Sequence, residues 1–406
     1  MSLNISMRAV VLLLIFATSI IAIQAQCSVS INGDLPAPQP LVLNVGEGAG
    51  FRHPVDTSGT LSFAAGENVR LVCTGTNNKF VNLDSTESDV LATCVSGSKF
   101  TVDGVLIEFS ELACSFLPWH WQRKSGNTCL GSYTDVEIGF DLGTEWITII
   151  NACHDETRLE TLYTTFKLVK EIGGFQTGFP RPSWVQGIFY PGYTLATQYN
   201  RATQIATMGT LLGSTDLGTQ YIHATNDYFL ARGHTTAKAD FVYGSQHRAT
   251  FYYVNQSPQW QTFNGGNWNS LENDVRNYVS NTYQDLTVYT GVYGIAQLPN
   301  VNGVLTDLYL YADAAGNRAI PVPKFFWKIL YNETTQLGTA FIGVNNPYLT
   351  TVTSDYYICS DISSQIQWLT WSANSVPLGI SYACTVDSLR NVVETIPSFT
   401  VKGILS

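Results

Sequence analysis

The chain has 406 residues, of which 45% are hydrophobic and 13% are charged, and its formal net charge is −10. This acidic balance excludes a protein that coats nucleic acid through a uniformly basic surface, although it is compatible with a local basic groove. The many Tyr, Thr, Val and Gly residues favour a β-rich extracellular protein, and the length favours two domains.

The first residues have the pattern of a secretory signal peptide. Arg8 precedes an almost uninterrupted apolar run over 9–23, which ends at Gln24-Ala25-Gln26. We predict cleavage after Ala25, so that residues 1–25 are removed and the protein is secreted to the extracellular space. An uncleaved anchor is the alternative. No later run approaches about 18 consecutive apolar residues, so we expect no membrane partner.

Cysteine usage agrees with an oxidising compartment. The eight cysteines all follow the predicted cleavage site, at positions 27, 73, 94, 114, 129, 153, 359 and 384. An even number in a secreted chain predicts four disulfides, and the isolated Cys359 and Cys384 are the one pair that the spacing singles out. Because no two cysteines have CxxC spacing, a structural zinc site is not expected.

Residues 26–130 are predicted to form a small β-rich domain stapled by disulfides. Val69–Cys73 is a short apolar strand candidate, and Phe100–Phe109 partly alternates apolar and polar residues around the turn sequence Asp103-Gly104. His53 and the cluster Trp119-His120-Trp121 are interpreted as packing or surface residues. The sequence therefore indicates no catalytic residues in this domain.

Residues 131–406 have a different character and carry the candidate site. Strands are predicted at 147–153, 162–170 and 325–331, and 202–212 is either a helix or a mobile segment. A strand at 227–231 leads into Arg232-Gly233-His234, and 249–254 is predicted as a second strand. Apolar residues at three- and four-residue spacing then predict a helix over 267–282.

The segment between Arg232 and Glu272 contains the groups needed to cut a phosphodiester with one divalent ion. His234 can take a proton from water as a neutral imidazole. Arg232 offers a planar fork to phosphate, and Gly233 would allow the backbone to approach it closely. Asn264 is a neutral oxygen ligand of the kind that Mg²⁺ accepts. Glu272 lies roughly 12 Å further along a continuous helix, where it would contact the metal's waters.

These residues resemble the DNA/RNA non-specific endonucleases of the ββα-metal fold. The resemblance rests on Leu230–Asp240, Tyr253–Trp268 and Leu271-Glu272, and it is greatest for the secreted arthropod branch, which includes gut and salivary nucleases. It implies a core over about 225–285 with His234 as general base. It further implies Asn264 as metal ligand, with Arg232, Asn255 and Glu272 in supporting roles.

The sequence departs from the family at one position. Many members have Asp before Arg-Gly-His, whereas this chain has Ala231. The family's upstream arginine has two candidates here, Arg181 and Arg201. Asn267 competes with Asn264 as the metal ligand, although its spacing fits the family less well.

Secondary assignments complete the expected site. Contacts to nucleic acid are predicted for four residues: Arg201, Lys238, Arg248 and Trp260. For Trp260 the alternative is a packed core residue. The sequon Asn332-Glu-Thr334 is predicted to be glycosylated in preference to Asn255-Gln-Ser257, which Pro258 follows.

The expected protein is thus α+β, with a ββα-metal nuclease domain on a central antiparallel sheet after the small β domain. The expected function is a secreted endonuclease that uses Mg²⁺, or Mn²⁺ in its place, to cleave DNA and RNA with little sequence preference. A catalytically weak nucleic-acid-binding protein is the alternative, as is an interaction role for the N-terminal domain. A histidine base with an ordinary pKa predicts a rate that rises through a midpoint of roughly pH 6.5.

Overall fold

The computed structural model describes residues 26–83 and 86–406. The predicted signal peptide lies outside the described residues. Within them, no helix is both long and apolar enough to cross a bilayer.

The N-terminal part is a β structure with its own core. Its strands are β1 Gln26–Ser30, β2 Leu41–Leu43, β3 Thr60–Ala64, β4 Asn68–Val72, β5 Asp89–Ser96, β6 Lys99–Val102 and β7 Val105–Glu108. Strands β1 and β3 pair with each other, and the others form an antiparallel sheet in the order β2-β4-β5-β6-β7. The turn Asp103-Gly104 joins β6 to β7, as its sequence predicts, with both residues at positive φ.

An eight-stranded antiparallel sheet organises the rest of the chain. Its strands are β8 Trp121–Cys129, β9 Tyr133–Asp141, β10 Trp146–Asp155, β11 Glu160–Leu168, β14 Leu286–Ile295, β19 Pro323–Asn332, β20 Leu337–Val344 and β21 Ser381–Cys384. Their order is β21-β20-β19-β14-β11-β10-β9-β8. The edge strand β8 lies within residues 26–130, which the sequence assigns to the N-terminal domain. It nevertheless pairs with β9 and so belongs to the large sheet.

Short ribbons and helices cover this sheet. Three two-stranded ribbons are β12 Leu230–His234 with β13 Gln256–Trp260, β15 Gln297–Pro299 with β16 Leu305–Asp307, and β17 Tyr309–Ala312 with β18 Arg318–Pro321. The helices are α1 Leu195–Gln198, α2 Arg201–Leu212, α3 Thr215–Tyr221, α4 Gly244–Ala249, α5 Gln261–Phe263, α6 Asn269–Thr282 and α7 Val386–Arg390. The segment 202–212 is therefore helical, with Asn200 as its N-cap.

Four disulfides join all eight cysteines. Cys27 pairs with Cys94, Cys73 with Cys114, Cys129 with Cys153, and Cys359 with Cys384. The last is the pair that the sequence singles out. The first two lie within the N-terminal part, whereas Cys129–Cys153 joins two strands of the large sheet. No bridge links the two parts.

Non-covalent contacts connect the N-terminal part to the larger unit. Gln39 and Gln176 exchange two amide hydrogen bonds of 3.1 and 2.9 Å. The hydroxyl of Tyr243 donates to the carbonyl oxygen of Arg52, and the Tyr243 ring also packs on Phe51. Tyr243 immediately precedes α4, so these contacts support the segment that runs from His234 to Asn255.

The second strand of the predicted ββα core lies later in the chain than the sequence predicts. Residues 249–254 are not a strand: they end α4 and continue into a 3₁₀ turn at Tyr253–Asn255, and the strand follows at Gln256–Trp260. The aromatic residues at 251–253 are buried, and burial rather than strand geometry explains their composition. Pro258 is tolerated in β13 because a two-stranded ribbon leaves one side of the strand unpaired.

Candidate active site

The ribbon β12-β13 and helix α6 bring the sequence-predicted site together. Strand β12 begins at Leu230 and contains Arg232 and His234, which were expected in a loop after the strand. Their ladder partners are Pro258 and Gln256. The ribbon is fixed to the large sheet because Asn345 accepts a 2.8 Å hydrogen bond from the backbone N–H of Trp260.

A cleft of about 530 Å³ opens above this ribbon. Its lining residues are Arg181, Trp184, Tyr199, Phe229, Leu230, Ala231, Arg232, His234, Ala237, Lys238, Ala239, Gln261, Asn264, Gly265, Asn269, Glu272 and Arg276. Four of these carry a positive charge and one carries a carboxylate, in a chain whose net charge is −10. The cleft is thus a local basic groove on an acidic protein.

His234 lies among aromatic rings at the wall of the cleft. Its ring centroid is 4.6 Å from that of Trp184 and 4.9 Å from that of Phe251. Burial, together with the nearby positive charges of Arg181 and Lys238, lowers the pKa of His234 to about 3. The imidazole is therefore neutral at every physiological pH, and the expectation of an ordinary histidine pKa near 6.5 is wrong for this site.

Arg232 presents a free fork beside His234. Its Nε donates to the hydroxyl of Tyr253 at 3.1 Å, and its guanidinium lies 4.9 Å from the ring centre of Tyr199. These contacts hold the stem of the side chain and leave the terminal nitrogens without hydrogen-bond partners among the described residues. Two terminal N–H groups in this geometry suit bidentate contact with phosphate.

Gly233 has a packing role rather than the predicted contact with phosphate. It is buried, and a Cβ at this position would lie 2.3 Å from Oε1 of Gln259 and 2.6 Å from its Cβ. Glycine is needed here because the Gln259 side chain crosses the strand between Arg232 and His234.

Asn255 supports the site from behind and does not line the cleft. Its Oδ1 accepts hydrogen bonds from the Thr235 hydroxyl and the Thr236 N–H, and its Nδ2 donates to the carbonyl oxygens of Thr236 and Thr250. The side chain is fully buried, and each of its hydrogen-bonding atoms makes two bonds. The predicted supporting residue is thus a brace that fixes the turn directly after His234.

Asn264 lies on the cleft at an unusual turn of the chain. The segment Asn264–Trp268 is a π-helical turn, inside which Gly266 has non-helical φ and ψ of −96° and −120°. A Cβ on Gly266 would lie 3.0 Å from backbone atoms of Leu378, so the wide turn depends on glycine. Nδ2 of Asn264 donates to Gln261 at 3.2 Å, which leaves its Oδ1 unpaired among the described residues.

Asn267, the competing candidate, is committed elsewhere. Its Nδ2 donates to the carbonyl oxygens of Ser372 and Gly379, and its Oδ1 accepts from the Ser372 N–H. The residue is 1% exposed. It anchors the loop at 372–379 to the turn before α6, and its hydrogen bonds leave it unavailable as a ligand.

Glu272 is a half-buried carboxyl on the face of α6 that lines the cleft. Burial and the negative charge of Asp240 raise the pKa of Glu272 to about 7, against the opposing effect of Lys328, Arg276 and Arg181. Its oxygens have no hydrogen-bond partner among the described residues. Ionisable side chains whose pKa lies far from the ordinary value are concentrated at functional sites.

The structure brings some of the predicted nucleic-acid contacts to the cleft and excludes others. Lys238 lines the cleft. Arg201 is not a lining residue: it donates to the carbonyl oxygens of His223 and Asn226 and stacks on the ring of Phe229. Arg248 lies in a separate groove. Trp260 is 0% exposed and packs on Tyr348, so the prediction that it stacks on a base is wrong.

Two further positively charged side chains line the cleft. Arg181, which stands between Pro180 and Pro182, lines the cleft, whereas Arg201, the other candidate for the upstream arginine, does not. Arg276 lines it one helical turn after Glu272, and its NH1 pairs with Asp240 at 2.7 Å. The four-residue spacing from Glu272 to Arg276 was the available signal.

Asn332, the predicted glycosylation site, is buried and hydrogen-bonded in this fold. Asn332 ends β19 and is 5% exposed. Its Oδ1 accepts from the backbone N–H groups of Thr334 and Thr335, and its Nδ2 donates to Gln284. The side chain therefore caps the turn through Oδ1, Gln284 accepts a hydrogen bond from Nδ2, and glycosylation of Asn332 stays a prediction.

Comparison with known proteins identifies the family to which the chain belongs. Residues 146–389 match the family model of the DNA/RNA non-specific endonucleases. A salivary endonuclease of Lutzomyia longipalpis is 27% identical over 84% of this chain and 76% of its own length. The salivary protein Tsal2A of Glossina morsitans morsitans is 20% identical over 97% of this chain and 98% of its own. A chain of the EndoG/EndoGI complex aligns with a TM-score of 0.38 and 18% identity, over 64% of this chain and 88% of that one. The family match covers more than half of the sequence, and the chain belongs to the DNA/RNA non-specific endonuclease family.

Proposed function

We propose that the protein is a secreted, divalent-metal-dependent endonuclease that hydrolyses DNA and RNA, including double-stranded forms, with little sequence preference. The observation that carries the proposal is the composition of one cleft. It combines a neutral histidine, an unpaired amide oxygen, an unpaired carboxyl and four cations. These are the parts that phosphodiester hydrolysis requires, and the fold brings Arg181 to the same cleft as the groups between Arg232 and Arg276.

The positive charge of the cleft favours binding of a polyanionic substrate through its phosphates, without recognition of individual bases. Arg181, Arg232, Lys238 and Arg276 line it, and each offers charge or N–H donors to phosphate oxygens. Contacts to the sugar-phosphate backbone give affinity but no sequence preference. Binding should therefore weaken steeply as salt concentration rises.

His234 is proposed as the general base. Its neutral imidazole can accept the proton of an attacking water at any pH above about 4, because its pKa lies near 3. A histidine with so low a pKa is a weak base, so it depends on close positioning of the water. Asn255 fixes the turn after His234, and the rings of Trp184 and Phe251 pack against the imidazole. These contacts hold the imidazole in one orientation toward the water.

The cleft residues fit a hard divalent ion that needs few protein ligands. Within residues 26–83 and 86–406, no group of three His, Cys, Asp or Glu side chains could hold a metal on its own. Asn264 nevertheless offers an unpaired Oδ1, and Glu272 an unpaired carboxyl, on the same cleft. Mg²⁺, or Mn²⁺, is bound in this way when water and substrate phosphate complete its shell. Such an ion would polarise the scissile phosphate and stabilise the leaving oxygen.

The direct experiment compares plasmid DNA, single-stranded DNA, single-stranded RNA and double-stranded RNA as substrates of the purified protein. Cleavage of all four with Mg²⁺, abolished by a chelator, is the expected result. Intact substrates at every pH from 5 to 9 with either Mg²⁺ or Mn²⁺ would overturn the proposal.

A second candidate is a nucleic-acid-binding protein of low activity that derives from such a nuclease. The observation in its favour is Ala231, which lines the cleft where many family members have a carboxylate. This candidate predicts tight, salt-sensitive binding with turnover near background, unaffected by His234→Ala. The assay above separates the two.

We also propose two domains with a boundary near residue 120, because β8 pairs within the large sheet. Extracellular secretion is supported by the four disulfides and by relatives named as salivary proteins. The N-terminal domain contacts the nuclease domain through Tyr243 and Gln176, so its removal is expected to lower stability.

A further inference from the structure

A second groove lies where the N-terminal part meets the larger unit. It has a volume of about 460 Å³, and its lining residues are Pro38, Ser115, Phe116, Leu117, Trp119 and Arg248. All but the last precede β8, whereas Arg248 belongs to α4. The lining contains one cation and no carboxylate, although the chain as a whole is acidic. The groove therefore suits an anionic ligand that also has a flat apolar part.

An exposed aromatic platform forms one wall of this groove. Trp119 is 47% exposed, and its ring centroid lies 5.8 Å from that of Phe116 and 6.1 Å from that of Trp121. A Cβ on Gly75 would lie 2.8 Å from the Trp119 ring, so the indole rests directly on the backbone of that glycine. Tryptophan is usually buried over most of its surface. The open face of this indole is available for stacking.

The loop that carries the platform is held rigidly. A disulfide at Cys114 closes its base. The buried side chain of Asn78 donates to the carbonyl oxygen of Phe116 at 2.9 Å and accepts from the Phe116 N–H at 3.1 Å. The Trp119 N–H donates to the carbonyl oxygen of Thr74 at 3.0 Å, and the Thr74 hydroxyl donates to that of Trp119 at 2.7 Å. A platform fixed in this way loses little conformational freedom when a ligand stacks on it.

Arg248 supplies the positive charge of the groove. It is the one residue of α4 that is not buried. Its Nε has no hydrogen-bond partner, and its guanidinium forms no ion pair within 4.0 Å with the residues that the structure describes. An unpaired guanidinium offers a planar set of N–H donors that matches a phosphate. The groove thus combines a stacking surface with a free phosphate-binding group.

The groove lies close to the proposed base. Arg248 precedes Phe251 by three residues, so their Cα atoms are at most about 11 Å apart. The Phe251 ring packs on the imidazole of His234, and the Thr250 hydroxyl lies 3.4 Å from its Nε2. Phosphates three base pairs apart on one strand are separated by roughly 10 Å along the helix axis. A strand bound at His234 therefore needs only a few flanking nucleotides to reach Arg248.

We propose that this groove is a second binding site for the nucleic-acid substrate, in which Trp119 stacks on an unpaired base and Arg248 binds a neighbouring phosphate. Every base has a face that can stack on an aromatic ring, so such a site adds affinity without sequence preference. Paired bases are already stacked on each other, which confines the contribution of Trp119 to single strands, overhangs and loops. The inference rests on the proposed function, in which the cleft holds the same strand.

Binding of an end-labelled oligothymidylate of about twelve nucleotides, with chelator present, tests both contacts. Trp119→Leu keeps an apolar side chain over Gly75 but has no ring, so its Kd should be about tenfold higher than that of the parent. Trp119→Tyr keeps a ring and should bind within about threefold of the parent. Arg248→Gln should raise the Kd about fivefold and reduce the slope of log Kd against log salt by roughly 0.7, the value for one phosphate contact.

Two further substrates separate stacking from charge. A blunt duplex of about twelve base pairs should bind to Trp119→Leu as it does to the parent, within about twofold, but more weakly to Arg248→Gln. A thymidine dinucleotide has no flanking nucleotides, so both variants should cleave it with the kcat/KM of the parent. Val105→Ala and Lys402→Gln change exposed side chains outside the groove and the cleft, and they are the matched controls.

The outcomes separate this inference from the proposed function. If the parent neither binds nor cleaves the oligonucleotide, the proposed function fails. If the parent does both, and Trp119→Leu and Arg248→Gln bind the single strand as tightly as the parent, only the inference fails, and the platform is left as a surface for a protein partner. An equal loss of kcat/KM on the dinucleotide would show damage to the cleft and would also overturn it.

Discussion

The indole of Trp184 lies against the imidazole of His234, with 4.6 Å between ring centroids and 42° between ring planes. Phe251 meets the same imidazole edge to face at 4.9 Å. These rings withhold water from the histidine and so disfavour its charged form. The proposed base is consequently neutral far below neutral pH, and a pH dependence near 7 must come from another group.

Trp184→Ala should raise the pKa of His234 from about 3 toward its ordinary value of 6.5. Solvent would reach the imidazole and stabilise the imidazolium. NMR titration of the His234 ring measures this directly: the parent ring should remain neutral down to pH 4, whereas the variant should titrate between about pH 5 and 6.5. Trp119→Ala, which removes an exposed tryptophan outside the cleft, is the control. An unchanged midpoint in Trp184→Ala would show that the aromatic wall does not set the protonation state.

Glu272→Gln should lower the activity by about 10- to 100-fold and remove the limb of the pH–rate profile near pH 7. The sign follows from the raised pKa: the carboxyl is protonated below about 7 and ionised above it, so the parent rate rises with pH through that value. Steady-state kinetics from pH 5 to 9 provide the comparison. Asn277→Ala, at an exposed position on the same helix, is the matched control and should keep the limb.

Asn264 and Asn267 should give opposite phenotypes when each is replaced by alanine. Asn264→Ala removes the unpaired cleft oxygen, so the Mg²⁺ concentration for half-maximal rate should rise at least tenfold without loss of thermal stability. Asn267→Ala leaves the partners of its three hydrogen bonds unpaired and should cost about 1–3 kcal/mol of unfolding free energy. Metal titrations and thermal melts of both variants distinguish the metal-binding role of Asn264 from the structural role of Asn267. Equal metal dependence in Asn264→Ala and parent would exclude Asn264 as the ligand.

The protein should lose stability as the pH falls from about 6.5 to 4. Burial lowers the pKa of five histidines below 6.5: His53, His120, His154 and His247 to about 4, and His234 to about 3. In that window the unfolded chain binds protons that the folded chain does not, so acid favours unfolding.

Carboxyls whose pKa is raised oppose this effect. Glu160 and Glu272, each with a pKa raised to about 7, take up protons in the folded state between about pH 4.5 and 7. A net uptake of roughly three protons on unfolding remains near pH 5.5. Melting temperatures at pH 7 and 5 check the sign, and a higher value at pH 5 would contradict it.

The sequence predicted the order of the core elements but not their limits. Apolar spacing located α6 to within two residues, because one face of that helix is buried along its length. The strand β13 was missed, since Gln256–Trp260 contains a proline and three polar residues and has no apolar alternation. Its burial comes from contacts with Asn345 and the large sheet, which local composition does not encode.

Residues that only tertiary contacts bring to the site could not be identified from sequence motifs. Arg181 lies about fifty residues before His234 in sequence, and only the fold brings it to the cleft. Asn332 matched a modification motif, but its amide is used by the turn that it caps. Short motifs identified the chemistry of the site, whereas burial decided which side chains are free to perform it.

The most direct test of the central claim measures cleavage and binding of one labelled RNA or DNA duplex by the parent and by His234→Ala, with Mg²⁺ at pH 8. His223→Ala, a histidine outside the cleft, serves as the control. We predict that His234→Ala binds the duplex as the parent does in the presence of chelator but cleaves it at least about 100-fold more slowly. Equal cleavage by His234→Ala and the parent would contradict the assignment of His234 as the base.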